Sequence, residues 1–122
     1  FRTGDDQTLI KNGGELVEGL IFSSNFADES DNPEVVDFVK RFDEKYKEKP
    51  NSYAAEGYEG VRFVGMAFDE CGKDYACIKN YLSTIKDANS LFGKISFNGD
   101  GDVTYNFFLK TIEDGEFKKL DY

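Results

Sequence analysis

Apolar positions from Tyr53 onward recur at steps of three and four: Tyr53, Gly57, Val61, Val64, Phe68. That spacing is one stripe of an α-helix. Pro50 stops whatever precedes it, and Asn51 or Ser52 can cap the amides that follow. Gly57 and Gly60 lie inside the stretch, and each costs about 1 kcal/mol against alanine in a helix interior. A helix that tolerates both is expected to bring its backbone close to another element. It extends to about Glu70, where Gly72 ends it.

The same patterning sorts the rest of the chain. Asp5 to Asn12 reads as a short helix capped by Asp5 or Asp6 and stopped by Gly13-Gly14. Leu16 to Phe22 is nearly all apolar, as in a strand buried on both faces of a parallel sheet. Ser23-Ser24-Asn25-Phe26 is a polar exit with one aromatic, and binding residues of open α/β sheets cluster at such strand ends. A solvated loop is the other reading of these residues. Asn32-Pro33 starts a helix that runs to about Lys47, with Val35, Val36, Val39, Phe42 and Tyr46 on its inner stripe. Asp74 caps a further helix to about Ile85, with Tyr75, Ile78, Leu82 and Ile85 inward. Lys86 to Ser90 reads as a polar connector.

After that the period changes. Gly93 to Phe97 alternates, and Val103 to Ile112 is rich in β-branched and aromatic residues, so both read as strands. Asn98-Gly99-Asp100-Gly101 between them signals a hairpin. Asp114-Gly115 makes a second turn into a short strand near Phe117. The order is an α/β pattern with more helix than its sheet needs, and a parallel strand normally has parallel neighbours. The chain is therefore expected to be a piece of a larger fold, its missing strands upstream.

Composition changes the picture mainly by exclusion. The 122 residues carry a net charge of −9, with no His, no Trp and 12 Phe. Nucleic-acid binding needs a basic footprint, and an acidic surface does not favour anionic lipid. No run of 18 apolar residues is present. Cys71 and Cys77 lie between two helical patterns and suit a small loop disulfide, which implies an oxidising compartment. Two reduced cysteines in a cytosolic domain are the alternative, and two thiols without histidine cannot close a zinc site.

Candidate chemistry is thin. Asn98, Asp100 and Asp102 alternate like the first ligands of a calcium loop. Val103 stands where that loop needs Gly, and Leu109 where it needs Glu. Paired carboxylates such as Asp5/Asp6, Glu56/Glu59 and Asp69/Glu70 sit mostly in caps and turns, with nothing to mark one as a general acid. With no His, no phosphate-binding Gly loop and no cofactor motif, the inventory does not describe an enzyme.

Three stretches, in order, resemble type I periplasmic binding proteins of the leucine/isoleucine/valine-binding kind. The first is Glu18-Gly19 to Phe26, followed by Phe38-Val39-Lys40-Arg41-Phe42 and Tyr46. The second is Pro50-Asn-Ser-Tyr-Ala-Ala-Glu-Gly-Tyr-Glu-Gly60, which resembles Pro-x-x-Tyr-Ala-Ala-x-Gly-Tyr-Asp/Glu; Glu59 stands where Asp is frequent and Gly60 where Ala is usual. The third is Gly93-Lys-Ile-Ser-Phe-Asn98 with Gly101-Asp102, and Asp114-Gly115-Glu116-Phe117 resembles the family's closing turn.

The resemblance implies a fold of two Rossmann-like lobes joined by three crossovers, with the ligand between them. This chain would be its C-terminal portion: residues 1–26 and 103–122 in the second lobe and hinge, 27–102 mostly in the first lobe. The first-lobe groups that hold a ligand's carboxylate and ammonium, and the second lobe's acidic partner, would lie upstream. Tyr53 matches the aromatic that closes the cleft near the crossover, offering apolar contact and a hydroxyl. Core packing is its other reading. Glu56, one turn on, and Phe26, just past the strand, rank behind it.

The function implied is capture of a small ligand, a branched-chain or related amino acid, for an ABC importer. Its partners would be the importer's membrane subunits and the N-terminal portion of the same protein. The location would be periplasmic or extracellular, secreted or lipid-anchored. A ligand-sensing domain of a receptor or regulator would use the same fold, and an interaction domain binding through an apolar surface is a third reading. Alone, the chain is expected to expose sheet edge and core face and to self-associate.

Overall fold

A computed structural model describes residues 5–120. Contacts divide the chain into two compact units: one runs up to Ser52 and resumes at Phe107, the other is Tyr53–Asn106.

The first unit contains α1 (Gln7–Gly13), a 3-10 turn (Gly14–Val17), β1 (Ile21–Ser24), α2 (Pro33–Tyr46), β5 (Phe108–Glu113) and β6 (Glu116–Lys119). Its sheet has the order β1-β5-β6 and is antiparallel throughout, with Phe22 opposite Lys110 and Ile112 opposite Phe117. The expected parallel strand Leu16–Phe22 is thus corrected. Glu15 to Val17 wind into the 3-10 turn, leaving Leu16 95% exposed, and the strand begins only at Ile21. Two glycines at positive φ, Gly14 and Gly19, bracket that turn and break an extended path.

Asn32 caps α2 by accepting from the Glu34 N–H at 3.0 Å, and Pro33 opens the helix. Val35 and Phe38 are its buried residues, whereas Val36 and Tyr46 are each 53% exposed, so the inner stripe is narrower than expected. Phe38 stacks on Phe42 at 5.8 Å between centroids, and Phe42 on Tyr46 at 4.6 Å. Asp114 and Gly115, at φ 55° and 72°, form the tight β5–β6 turn that their sequence signals.

The second unit holds the rest of α3 (Ser52–Cys71), α4 (Tyr75–Thr84), β2 (Ala88–Ser90), β3 (Gly93–Phe97) and β4 (Val103–Thr104), with sheet order β2-β3-β4. Asp74 caps α4 by accepting from Ala76 and Cys77. Asn98 organises the β3–β4 turn, its Oδ1 accepting from Asp100 at 3.0 Å and Asp102 at 2.8 Å. This local use of the side chain is what a turn does, in keeping with the failed calcium-loop spacing. The stretch 86–90 is not merely a connector, since Ala88–Ser90 pairs with β3. Nor is Val103 to Ile112 one strand: Tyr105–Phe107 interrupts it, where the chain passes from one unit to the other.

The largest correction concerns α3. Its buried residues are Ser52, Ala55, Glu59, Phe63 and Ala67, at steps of three and four, while Tyr53, Val61, Val64 and Phe68 are 43–76% exposed. The helix is apolar on two faces, and periodicity cannot choose between them. Polar pairing marks the inner one. Glu59 accepts from the Leu91 N–H at 2.9 Å and pairs with Arg62 at 2.7 Å, and Arg62 donates to the Asn89 carbonyl at 2.7 Å. Phe63 meets Phe97 edge to face at 5.8 Å. A side chain at Gly57 or Gly60 would meet nothing within 4 Å, so the expected close approach at these glycines is not found among the described residues. Tyr75, expected inward on α4, is 79% exposed. Cys71 and Cys77 form a disulfide with Cα atoms 5.6 Å apart, tying the end of α3 to α4.

Candidate functional site

The first unit encloses a cavity of about 670 Å³. Phe26 in the loop after β1, the start of α1 and the β5–β6 hairpin all contribute to its wall. Three rings line it, Phe26, Phe42 and Phe117, together with six acids, Asp5, Asp6, Asp28, Glu29, Glu48 and Glu116, against two lysines, Lys49 and Lys110.

A buried polar network forms part of this wall. Lys110 Nζ lies 2.9 Å from Asp5 Oδ1, with both side chains 5% exposed. Ser24 Oγ donates to Asp5 Oδ2 at 2.8 Å, so both oxygens of that carboxylate are engaged. The Phe26 N–H in turn donates to Ser24 Oγ at 3.3 Å, which sets the chain direction past the strand. Lys110 also sits 5.9 Å from the Phe117 ring centroid, in reach of a cation–π contact. Asp28 pairs with Lys49 at 3.7 Å.

Asp6 does two things: it lines the cavity and caps α1. Its carboxyl lies below the ordinary 3.8 because Thr8 donates to it, through its side chain and through an N–H at 2.7 Å. A depressed folded value adds stability above pH 3.8 and loses it as pH falls through the lower folded value. In urea titrations the stability gap between wild type and Asp6→Asn should be steady near neutrality and close below pH 3.8. A gap that widens in acid would contradict this assignment.

Of the residues singled out in the sequence, Phe26 lines the cavity but is only 1% exposed, edge-on to Phe38 at 6.0 Å. Tyr53 and Glu56 belong to the second unit, on successive turns of α3. Tyr53 is 45% exposed and Glu56 half-buried. Sequence reasoning missed Asp5 and Lys110 as cavity groups. A lone lysine inside Phe107-Phe-Leu-Lys-Thr-Ile112 was the available signal, since a lysine at an inward strand position needs a buried anion.

A sequence profile of periplasmic binding proteins matches residues 2–116. The chain belongs to the periplasmic binding protein family. No curated protein matches it. Among solved structures it is similar to the leucine-binding protein LivK of Thermotoga maritima, with 27% identity and a TM-score of 0.87 over 98% of this chain and 35% of that one. An ABC transporter substrate-binding protein of Desulfitobacterium hafniense, in complex with Leu, shares 29% identity at a TM-score of 0.80 over 85% of this chain and 32% of that one. The branched-chain amino acid substrate-binding protein LivJ of Streptococcus pneumoniae, with isoleucine, shares the fold at 22% identity and a TM-score of 0.85, over 98% and 36% of the two chains. The chain thus spans about a third of the length of the solved structures it matches. The α/β fold is that of type I periplasmic binding proteins, and the matched relatives are named for solute binding rather than catalysis.

Proposed function

We propose that this chain is the C-terminal portion of an extracytoplasmic solute-binding protein that captures an amino acid, of the branched-chain or a related kind, for an ABC importer. The observation that carries the reading is the pair of leucine-associated relatives above 25% identity, each matched over most of this chain. The cavity supports it chemically. Its aromatic rings suit an aliphatic side chain, while the groups that hold the ligand's carboxylate and ammonium would lie upstream. In this reading Phe26 shapes the wall, Tyr53 supplies the ring and hydroxyl that close the cleft, and Glu56 lies one turn beyond. Residues 1–26 and 103–122 would serve the second lobe and hinge, and 27–102 mainly the first.

The mechanism is a shift of population between open and closed lobes, driven by the ligand's greater affinity for the closed form. The exposed residues Val61, Val64 and Phe68 of α3 would be covered by the N-terminal portion of the same protein, and the importer's membrane subunits would receive the closed form. Disulfide Cys71–Cys77 suits a periplasmic or extracellular location.

A thermal-shift screen of the twenty amino acids against the full-length gene product tests this. Ligand at 100 times its Kd should stabilise the protein by about 2.7 kcal/mol, a rise of several degrees. Tyr53→Ala should abolish most of that rise and leave the ligand-free Tm nearly unchanged, because the ring is substantially exposed. An equal rise in wild type and Tyr53→Ala would remove Tyr53 from the site.

A further inference from the structure

Glu18 is outside the cavity, between the 3-10 turn and β1. Its carboxylate accepts from two consecutive amides of the β5–β6 turn, Asp114 N–H at 3.1 Å on Oε2 and Gly115 N–H at 2.7 Å on Oε1. Both turn residues are left-handed, an arrangement in which successive N–H groups converge on one anion. Backbone bonds continue the attachment: Gly19 N–H donates to the Ile112 carbonyl at 2.9 Å, and Ile112 N–H to the Leu20 carbonyl at 3.3 Å. The hairpin held in this way carries Lys110, Gly115, Glu116 and Phe117 of the cavity wall.

We propose that Glu18 is a positioning residue for ligand binding, fixing the tip of the β5–β6 hairpin and through it the cavity face formed by Lys110, Glu116 and Phe117. The proposal rests on the reading of this cavity as part of the amino-acid site. An ionised carboxylate is acceptor-only and meets both amides with charge-assisted bonds. Glutamine of the same size keeps one acceptor oxygen and turns an NH₂ toward the other N–H. Asp-Gly favours this turn by itself, so the hairpin survives the change while its tip loses its anchor.

The test uses the full-length gene product, with L-leucine as probe, calorimetric titration for affinity and two-dimensional amide NMR for geometry. Glu18→Gln should move the Asp114 and Gly115 amide resonances, move those of Glu116 and Phe117 with them, and weaken L-leucine binding about tenfold. Glu18→Ala should weaken it at least as much. Turn resonances that move while leucine affinity stays within about twofold of wild type would overturn the proposal. If wild type binds no L-leucine, the amino-acid reading fails separately. The positioning claim is then decided by the spectra, and Lys110, Glu116 and Phe117 resonances that stay in place in Glu18→Gln would refute it.

Discussion

Lys110→Met should destabilise the protein by about 3–5 kcal/mol, the usual result of breaking a buried ion pair from one side. Lys110 stands opposite Phe22 in the β1–β5 register, with its ammonium 2.9 Å from Asp5. Without it, the Ser24 hydroxyl is left to donate to an Asp5 carboxylate that is 5% exposed. Methionine retains most of the stem, so the loss is chiefly electrostatic and not a cavity effect. The companion experiment separates the two. Replacing both partners, Asp5→Leu with Lys110→Met, removes the buried charge altogether and should recover most of the loss. Urea midpoints measure both variants. A single variant that loses less than about 1 kcal/mol would show that the pair behaves as an exposed one does.

Phe26→Ala is expected to be of similar size, about 3–5 kcal/mol, for a different reason. The ring is 1% exposed and meets Phe38 edge-on, and Phe38 continues into the Phe42 and Tyr46 stack. Truncation leaves a void at the head of that row of rings and opens the cavity wall. Lost ligand binding in Phe26→Ala would therefore not identify a ligand contact, because the wall itself goes. Phe26→Leu keeps most of the volume and should cost about 1.5 kcal/mol or less. A denaturation midpoint for Phe26→Ala equal to wild type would show that the ring is not part of the core.

Helix boundaries and turns were the most legible features in the sequence. Asn32-Pro33, Asp74 and Asp114-Gly115 each act through a local bond or dihedral that their own side chains dictate, and the structure uses all three. The family pattern was legible because Pro50–Gly60 and Gly93–Asp102 are contiguous. Inward faces were not. In α3 both candidate stripes are apolar, and the choice depends on Glu59 reaching Leu91, 32 residues away. The strand direction of β1 depended on its partner β5, which lies almost at the other end of the chain. The cavity had the same difficulty. Asp5 reads as a helix cap until Lys110, 105 positions later, is placed against it. Glu18 gave no local sign of its hold on the hairpin, since its partners are the amides of a turn 96 and 97 residues downstream.

Titration of aliphatic amino acids into the full-length gene product, followed by calorimetry, tests the solute-binding claim most directly. One molecule of a branched-chain or related amino acid should bind per protein, with saturation. A folded protein that gives no saturable heat with any of the twenty amino acids would contradict it.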